Sequence, residues 1–99
     1  MKTVIIGGGK GCVSLLSLAS GYFLRELTLE IVAVCDVNPI APGVRLAEKM
    51  NIPTYTDGQM CLECDNIELV IELTGSESAL AEIQKNIKPG IRIIDHTIA

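Results

Sequence analysis

Apolar positions along the chain repeat with two different periods, and the two periods alternate. Lys2 to Ile6 is a short run rich in β-branched residues, the composition of a strand. From Cys12 to about Leu27, the residues Cys12, Leu16, Ala19, Phe23 and Leu27 recur at helical spacing, with Leu15 and Tyr22 beside the stripe. Ser20-Gly21 weakens the middle of that helix without ending it. Leu29 to Cys35 is almost continuously apolar, which predicts a strand buried on both faces. Asp36-Val37-Asn38-Pro39 ends it, and Pro42 suits the first turn of a helix running to about Met50, with Asn51 placed to close it. Ile52 to Tyr55 predicts a brief strand, and Asp57 to Cys64 a short helix with an ambiguous pattern. Ile67 to Leu73 is a further strand, and Thr74-Gly75-Ser76 turns into a helix from about Glu77 to Lys88. Pro89-Gly90 stops that helix, and Ile91 to Asp95 is the last strand.

Strands and helices thus alternate strictly, which predicts an α/β fold. Right-handed crossovers between five parallel strands give a doubly wound sheet in the order 3-2-1-4-5, with helices on both faces. The 99 residues, 1–99, form one domain without repeat or linker. A domain of this size buries only about 60–65% of its unfolded surface, so its stability is modest.

Composition narrows the picture. The chain is 48% apolar yet has one Phe, two Tyr and no Trp, so its core is built from Ile, Val, Leu and Ala. The net charge is −4 and the basic residues are scattered, which excludes a nucleic-acid surface and an anionic membrane surface as partners. Gly7-Gly8-Gly9-Lys10-Gly11 interrupts any signal-peptide core, and Val13 to Leu24 is too short to span a bilayer. The expected location is therefore cytoplasmic, with the four cysteines mostly reduced.

The first turn carries the clearest chemistry. Gly7-x-Gly9-x-x-Cys12 follows a strand and opens an amphipathic helix, the setting of the G-x-G-x-x-G/A fingerprint for dinucleotides. Gly7 ends the strand sharply, and Gly9 lets the backbone approach a pyrophosphate. The helix start, with Gly8, Lys10 and Gly11, aims N–H groups and the positive dipole end at the phosphates. Cys12 stands where Gly or Ala is usual, which implies a slightly wider gap between helix and strand. Lys10 either adds charge near the phosphates or faces solvent.

Asp36 ends the second strand about 25 residues beyond Gly11, the place of a carboxylate that receives the adenosine ribose hydroxyls, with Val37 beside it. It would repel the extra phosphate of NADP, and no Arg follows it directly, so NAD is favoured; Arg45 on the next helix reaches that region only if the fold brings it there. The plainer account of Asp36 is a cap on the Val37-Asn38 turn.

With these residues assembled, the chain resembles the amino-terminal half of nicotinamide-dependent enzymes. Thr3 to Gly9 and Val34 to Pro39 are similar to glucose-fructose oxidoreductase, dihydrodipicolinate reductase and semialdehyde dehydrogenase families. Val70 to Gly75 resembles a fourth-strand turn shared with glyceraldehyde-phosphate dehydrogenase, and that likeness implies that Thr74 and Gly75 lie against the cofactor. The Glu-Lys-Pro motif of the first family is replaced by Asp95-His96-Thr97, and a semialdehyde dehydrogenase nucleophile would lie beyond Ala99. A nearer resemblance is to NAD-binding-like Rossmann domains ahead of sensor histidine kinase modules in bacterial signalling proteins. It rests on the Gly-Gly-Gly-basic-Gly-Cys turn, on Asp36 to Gly43 and on the Ile-Asp-His ending.

Other residues invite functional readings. Cys61-x-x-Cys64 reads as two small residues packing one helical face; a redox pair and a metal site are the alternatives. Cys12, at a helix start, is packed and structural on the same reasoning, although a helix N-terminus can acidify a thiol. His96, the only histidine, stands at the carboxyl end of the fifth strand, where it either meets a nicotinamide ring or simply ends the strand. Glu63, Asp65 and Glu68 read as a solvated face.

Three functions follow as expectations. The first is an NAD(H)-binding module with no catalytic residue of its own, a sensory part of a longer signalling protein. The second is the cofactor half of a dehydrogenase or reductase, and the third a degenerate domain used for dimerisation. The short strand at Ile52 to Tyr55 and the last strand leave sheet edges for a second copy or a neighbouring domain.

Overall fold

A computed structural model describes residues 1–19 and 29–96. The expected run of the first helix through Ser20-Gly21, Tyr22 and Phe23 to Leu27, and Thr97, lie outside the described residues. The elements are β1 (Lys2–Ile6), α1 (Lys10–Ala19), β2 (Glu30–Cys35), α2 (Pro42–Lys49), β3 (Thr54–Tyr55), α3 (Gly58–Leu62), β4 (Leu69–Glu72), α4 (Glu77–Asn86) and β5 (Arg92–Ile94). The five strands form one sheet in the order β3-β2-β1-β4-β5, every pairing parallel. This is the doubly wound α/β topology that the alternating periods predict.

The strand period of two sorts the core into two layers. Ile5 of β1 and Val34 of β2 face α1 and α2, where they pack with Cys12, Leu16, Ala41, Val44 and Ala47. Val4, Ile6, Ala33, Cys35 and Val70 point the other way, onto Cys61 and Leu62 of α3 and Ile83 of α4. Because both faces are covered, these strands read as unbroken apolar runs. An irregularity opposite Thr3 and Val4 leaves Val32 unpaired between Ile31 and Ala33, and Val32 packs on the same layer as Ala33.

Most departures from the sequence expectation are at ends. β2 begins one residue later than Leu29, and its first half is only partly covered, with Glu30 exposed. β3 holds two residues instead of four, since Pro53 has no N–H to give a ladder, although its carbonyl accepts from Val34. α1 starts at Lys10, two residues before the first apolar position of its stripe. α3 is shorter than expected: Asp57 is its cap, accepting the Gln59 N–H, and Cys64 lies past its end. Asn51 closes the α2 region in the left-handed conformation, with φ 60°. No helix among the described residues is long and apolar enough to cross a membrane.

Candidate functional site

The order β2-β1-β4 makes the carboxyl end of β1 the point where the chain's crossovers diverge to opposite sides, and a crevice forms there. A cleft of about 650 Å³ opens at this edge, within the size range of small-molecule sites. Its wall runs from Gly7 and Gly9 through Asp36 and Val37 to Thr74, and continues over Gly58, Leu62 and Ile83 of the α3–α4 layer.

The glycine turn is held from several sides. Gly7 has φ 115° and donates its N–H to Cys35 O at 2.7 Å; a Cβ there would lie 2.6 Å from the Leu73 carbonyl carbon. Only glycine fits both the angle and the neighbouring strand. Gly8 is buried; its N–H donates to Asp36 Oδ2 at 2.7 Å, and its carbonyl accepts from Gly43 N at 2.6 Å. Gly9 faces the cleft, and a Cβ on it would meet nothing within 4 Å. The N–H groups of Lys10, Gly11 and Cys12, in the first turn of α1, have no helical carbonyl to bond.

Asp36 performs the plainer task assigned to it and leaves capacity for another. One carboxylate oxygen accepts from Gly8 N, and the other from Asn38 N at 2.8 Å, so it caps its own turn and ties it to the glycine turn. Each oxygen keeps a lone pair directed away from these bonds. Asp57 and Glu82 also line the cleft, and no Lys or Arg does among the described residues.

Of the ten residues singled out from the sequence, Gly7, Gly9, Asp36, Val37 and Thr74 line this cleft together. The other five do not. Lys10 and Gly11 are exposed on the first turn of α1, and Gly8 supports from behind. Gly75, with φ 69°, serves the turn after β4. Cys12 is fully buried, and α2 leaves room for its thiol. A Cβ on Gly43 would lie 2.7 Å from Cys12 Sγ, so glycine there admits the sulfur. Burial, then the charge of Asp36, pushes the Cys12 thiol up to about 11, which removes it as an acidified helix-start nucleophile.

A second polar constellation lies beside the cleft. Glu72 ends β4 with no solvent exposure. It accepts from the Thr74 N–H at 2.8 Å and the Thr74 hydroxyl, from the His96 N–H at 3.0 Å, and contacts His96 Nδ1 at 2.6 Å. The far ring nitrogen, Nε2, lies 3.1 Å from Glu77 Oε1 on the exposed first turn of α4. Burial pushes the Glu72 carboxyl up, but the hydrogen bonds from Thr74 and His96 outweigh it and bring it down to about 2. The Glu72 hydrogen bond, against the opposing effect of burial, raises His96 above its ordinary value, with Glu77 adding to the rise. His96 thus fastens the end of β5 to β4 and α4, and its ring is not part of the cleft wall. Sequence reasoning passed over Glu72, although an acid closing the apolar run Leu69-Val70-Ile71 was a visible signal.

The four thiols divide between the two core layers, Cys12 in one and Cys35, Cys61 and Cys64 in the other. Cys64 sits past the end of α3, partly exposed, and packs against the same core layer that holds Cys61. Cys61 is buried in that layer together with Cys35 of β2. Among the described residues no group of three or more His, Cys, Asp or Glu is placed to hold a metal. Glu63, Asp65 and Glu68 are exposed, as expected of a solvated face. Neither a protein-family model nor a curated protein matches the chain.

Proposed function

We propose that the cleft binds NAD or NADH and that the domain does no chemistry of its own, serving as a nicotinamide-dinucleotide sensor within a larger cytoplasmic signalling protein. The observation that carries this reading is the placement of Gly9 and Asp36 along one cleft wall at the switch point of the sheet. The open side of Gly9 and the first turn of α1 suit a pyrophosphate, which backbone N–H groups and the helix dipole would hold in the absence of a lining cation. The spare lone pairs of Asp36 suit the two ribose hydroxyls. The wall formed by Val37, Gly58, Leu62 and Ile83 suits an adenine face. Asp36, Asp57 and Glu82 together disfavour a 2′-phosphate, and Arg45 is exposed on α2 outside the lining, so NAD is preferred over NADP.

Calorimetric titration with NAD, NADH and NADP in turn tests the proposal. Saturable heat with NAD or NADH is expected, lost in Gly9→Val, whose side chain would occupy the pyrophosphate space. Asp36→Ala should weaken NAD and narrow its advantage over NADP. No heat from any of the three with the folded protein would remove the reading.

A further inference from the structure

His96 stands just past β5 with a carboxylate on each side of its ring. Nδ1 lies 2.6 Å from Glu72 Oε1 of β4, and Nε2 lies 3.1 Å from Glu77 Oε1 on the first turn of α4. These are the charged groups that face the ring from the elements packed against it. An ionised carboxylate only accepts, so both bonds exist together only when each ring nitrogen carries a proton, which is the imidazolium. A neutral ring has one N–H and serves one carboxylate. The choice between the two is uneven. Glu72 is wholly buried and depends on every donor it has, whereas the Glu77 side chain is 79% exposed and can turn to water. Loss of the proton therefore keeps the Nδ1 bond and sets a bare Nε2 against Glu77 Oε1, which breaks the link to α4.

The start of α4 belongs to the cleft, which Thr74, Ser76, Ala79 and Ile83 help to line. A run of hydrogen bonds reaches it from β4. Glu72 accepts from the Thr74 hydroxyl, whose oxygen accepts from Ser76 N at 3.1 Å, and Ser76 Oγ accepts from Ala79 N at 3.2 Å. His96 adds a tie from β5 to the same turn. We propose that His96 is a proton-operated latch between β5 and α4: protonated, it fixes the first turn of α4 against the sheet, and deprotonated, it releases that turn and loosens one wall of the cleft. The hydrogen bond to Glu72, against the effect of burial, holds the ring above its ordinary value, and Glu77 adds to the rise. The latch is thus closed below a midpoint that lies above about 6.5 and opens as pH rises through it. It stands on the side-chain geometry alone; its effect on dinucleotide affinity rests on the reading of the cleft given above.

The chain has one histidine, so its ring C–H resonances report the titration without assignment. The test is an NMR pH titration of the isotope-labelled full chain that follows the ring together with the backbone amides of Glu77 to Leu80. The expected result is a ring midpoint above about 6.5, with those amides moving at the same midpoint. Glu77→Gln should lower the ring midpoint by roughly a few tenths of a pH unit, the scale of one exposed ion pair. It should also hold the amides still, because a glutamine amide can donate to the neutral Nε2. With NAD in the cleft, affinity should fall about two- to fivefold as pH rises through the midpoint, and this dependence should vanish in Glu77→Gln. A ring midpoint at or below about 6.5, or α4 amides that do not follow the ring, would overturn the latch. An NAD affinity indifferent to that transition would overturn its hold on the cleft wall. Absence of NAD binding at every pH would sink the dinucleotide reading, with the latch decided by the ring and amide titrations.

Discussion

Gly7 and Gly9 stand two residues apart in one turn, yet a side chain would meet opposite surroundings at each. At Gly7 a methyl group would collide with the backbone of Leu73 and Thr74 at 2.6–2.7 Å and require φ 115° of an L-residue. Gly7→Ala should therefore cost about 2–4 kcal/mol of stability in urea unfolding, from backbone strain and overpacking together. At Gly9 the space is open, so Gly9→Ala should stay within about 1 kcal/mol of wild type. A similar loss at both positions would contradict this assignment of roles. The Glu72–His96 pair makes a second residue-scale prediction, through pH. Glu72 falls from 4.5 to about 2 on folding, so its contribution is present above about pH 4.5 and is lost as pH falls toward 2. His96 is raised on folding, so its contribution is complete below its unfolded value of about 6.5 and is lost as pH rises through the folded value. Stability should decline on both sides of a mildly acidic maximum. His96→Gln should flatten the alkaline limb of a melting-temperature profile; an unchanged limb would mean that His96 does not titrate against these carboxylates.

At the scale of elements, the starts of α1 and α2 are joined by a contact that tolerates no added atom. Gly43 approaches Cys12 and the Gly8 carbonyl so closely that a Cβ would lie 2.7 Å from each, and Gly43 N donates to that carbonyl at 2.6 Å. The contact sets the attitude of the glycine turn from behind, while Asp36 sets it from β2. Gly43→Ala is expected to cost about 1–3 kcal/mol through overpacking. On the dinucleotide proposal it should also weaken NAD binding, although residue 43 does not line the cleft. Parallel urea melts and calorimetric titrations would check both effects. Destabilisation without loss of affinity would show that the turn keeps its geometry independently of α2.

The whole molecule is small, and its sheet is covered on both faces by thin aliphatic layers. Under the dinucleotide proposal, ligand occupancy should therefore be a large part of its stability. At a hundredfold excess over Kd, a ligand bound only by the folded state adds about 2.7 kcal/mol. For a domain of this length that corresponds to a rise in Tm of roughly 10–20 °C. The dinucleotide proposal thus predicts a large thermal shift with NAD, absent in Gly9→Val, alongside the calorimetric signal.

Much of this architecture was legible in the chain because it depends on local periods. Ile5 and Val34 against Val4, Ile6, Ala33 and Cys35 follow from the period of two, and the helical stripes from the period of 3.6. The alternation of the two, with the fixed hand of crossovers, pointed to a doubly wound parallel sheet, and the glycine turn with Asp36 favoured the order that the sheet has. The first cleft residues were legible as well, since Gly7, Gly9 and Asp36 answer to backbone needs at strand ends. What lay beyond the sequence were pairings between residues far apart in the chain. Glu72 meets His96 across 24 positions, and Cys12 meets Gly43 across 31. No local period encodes such contacts. They arise when the parallel sheet sets strand ends side by side and helices settle on its faces, and there the tertiary structure decided which polar groups meet and which residues pack.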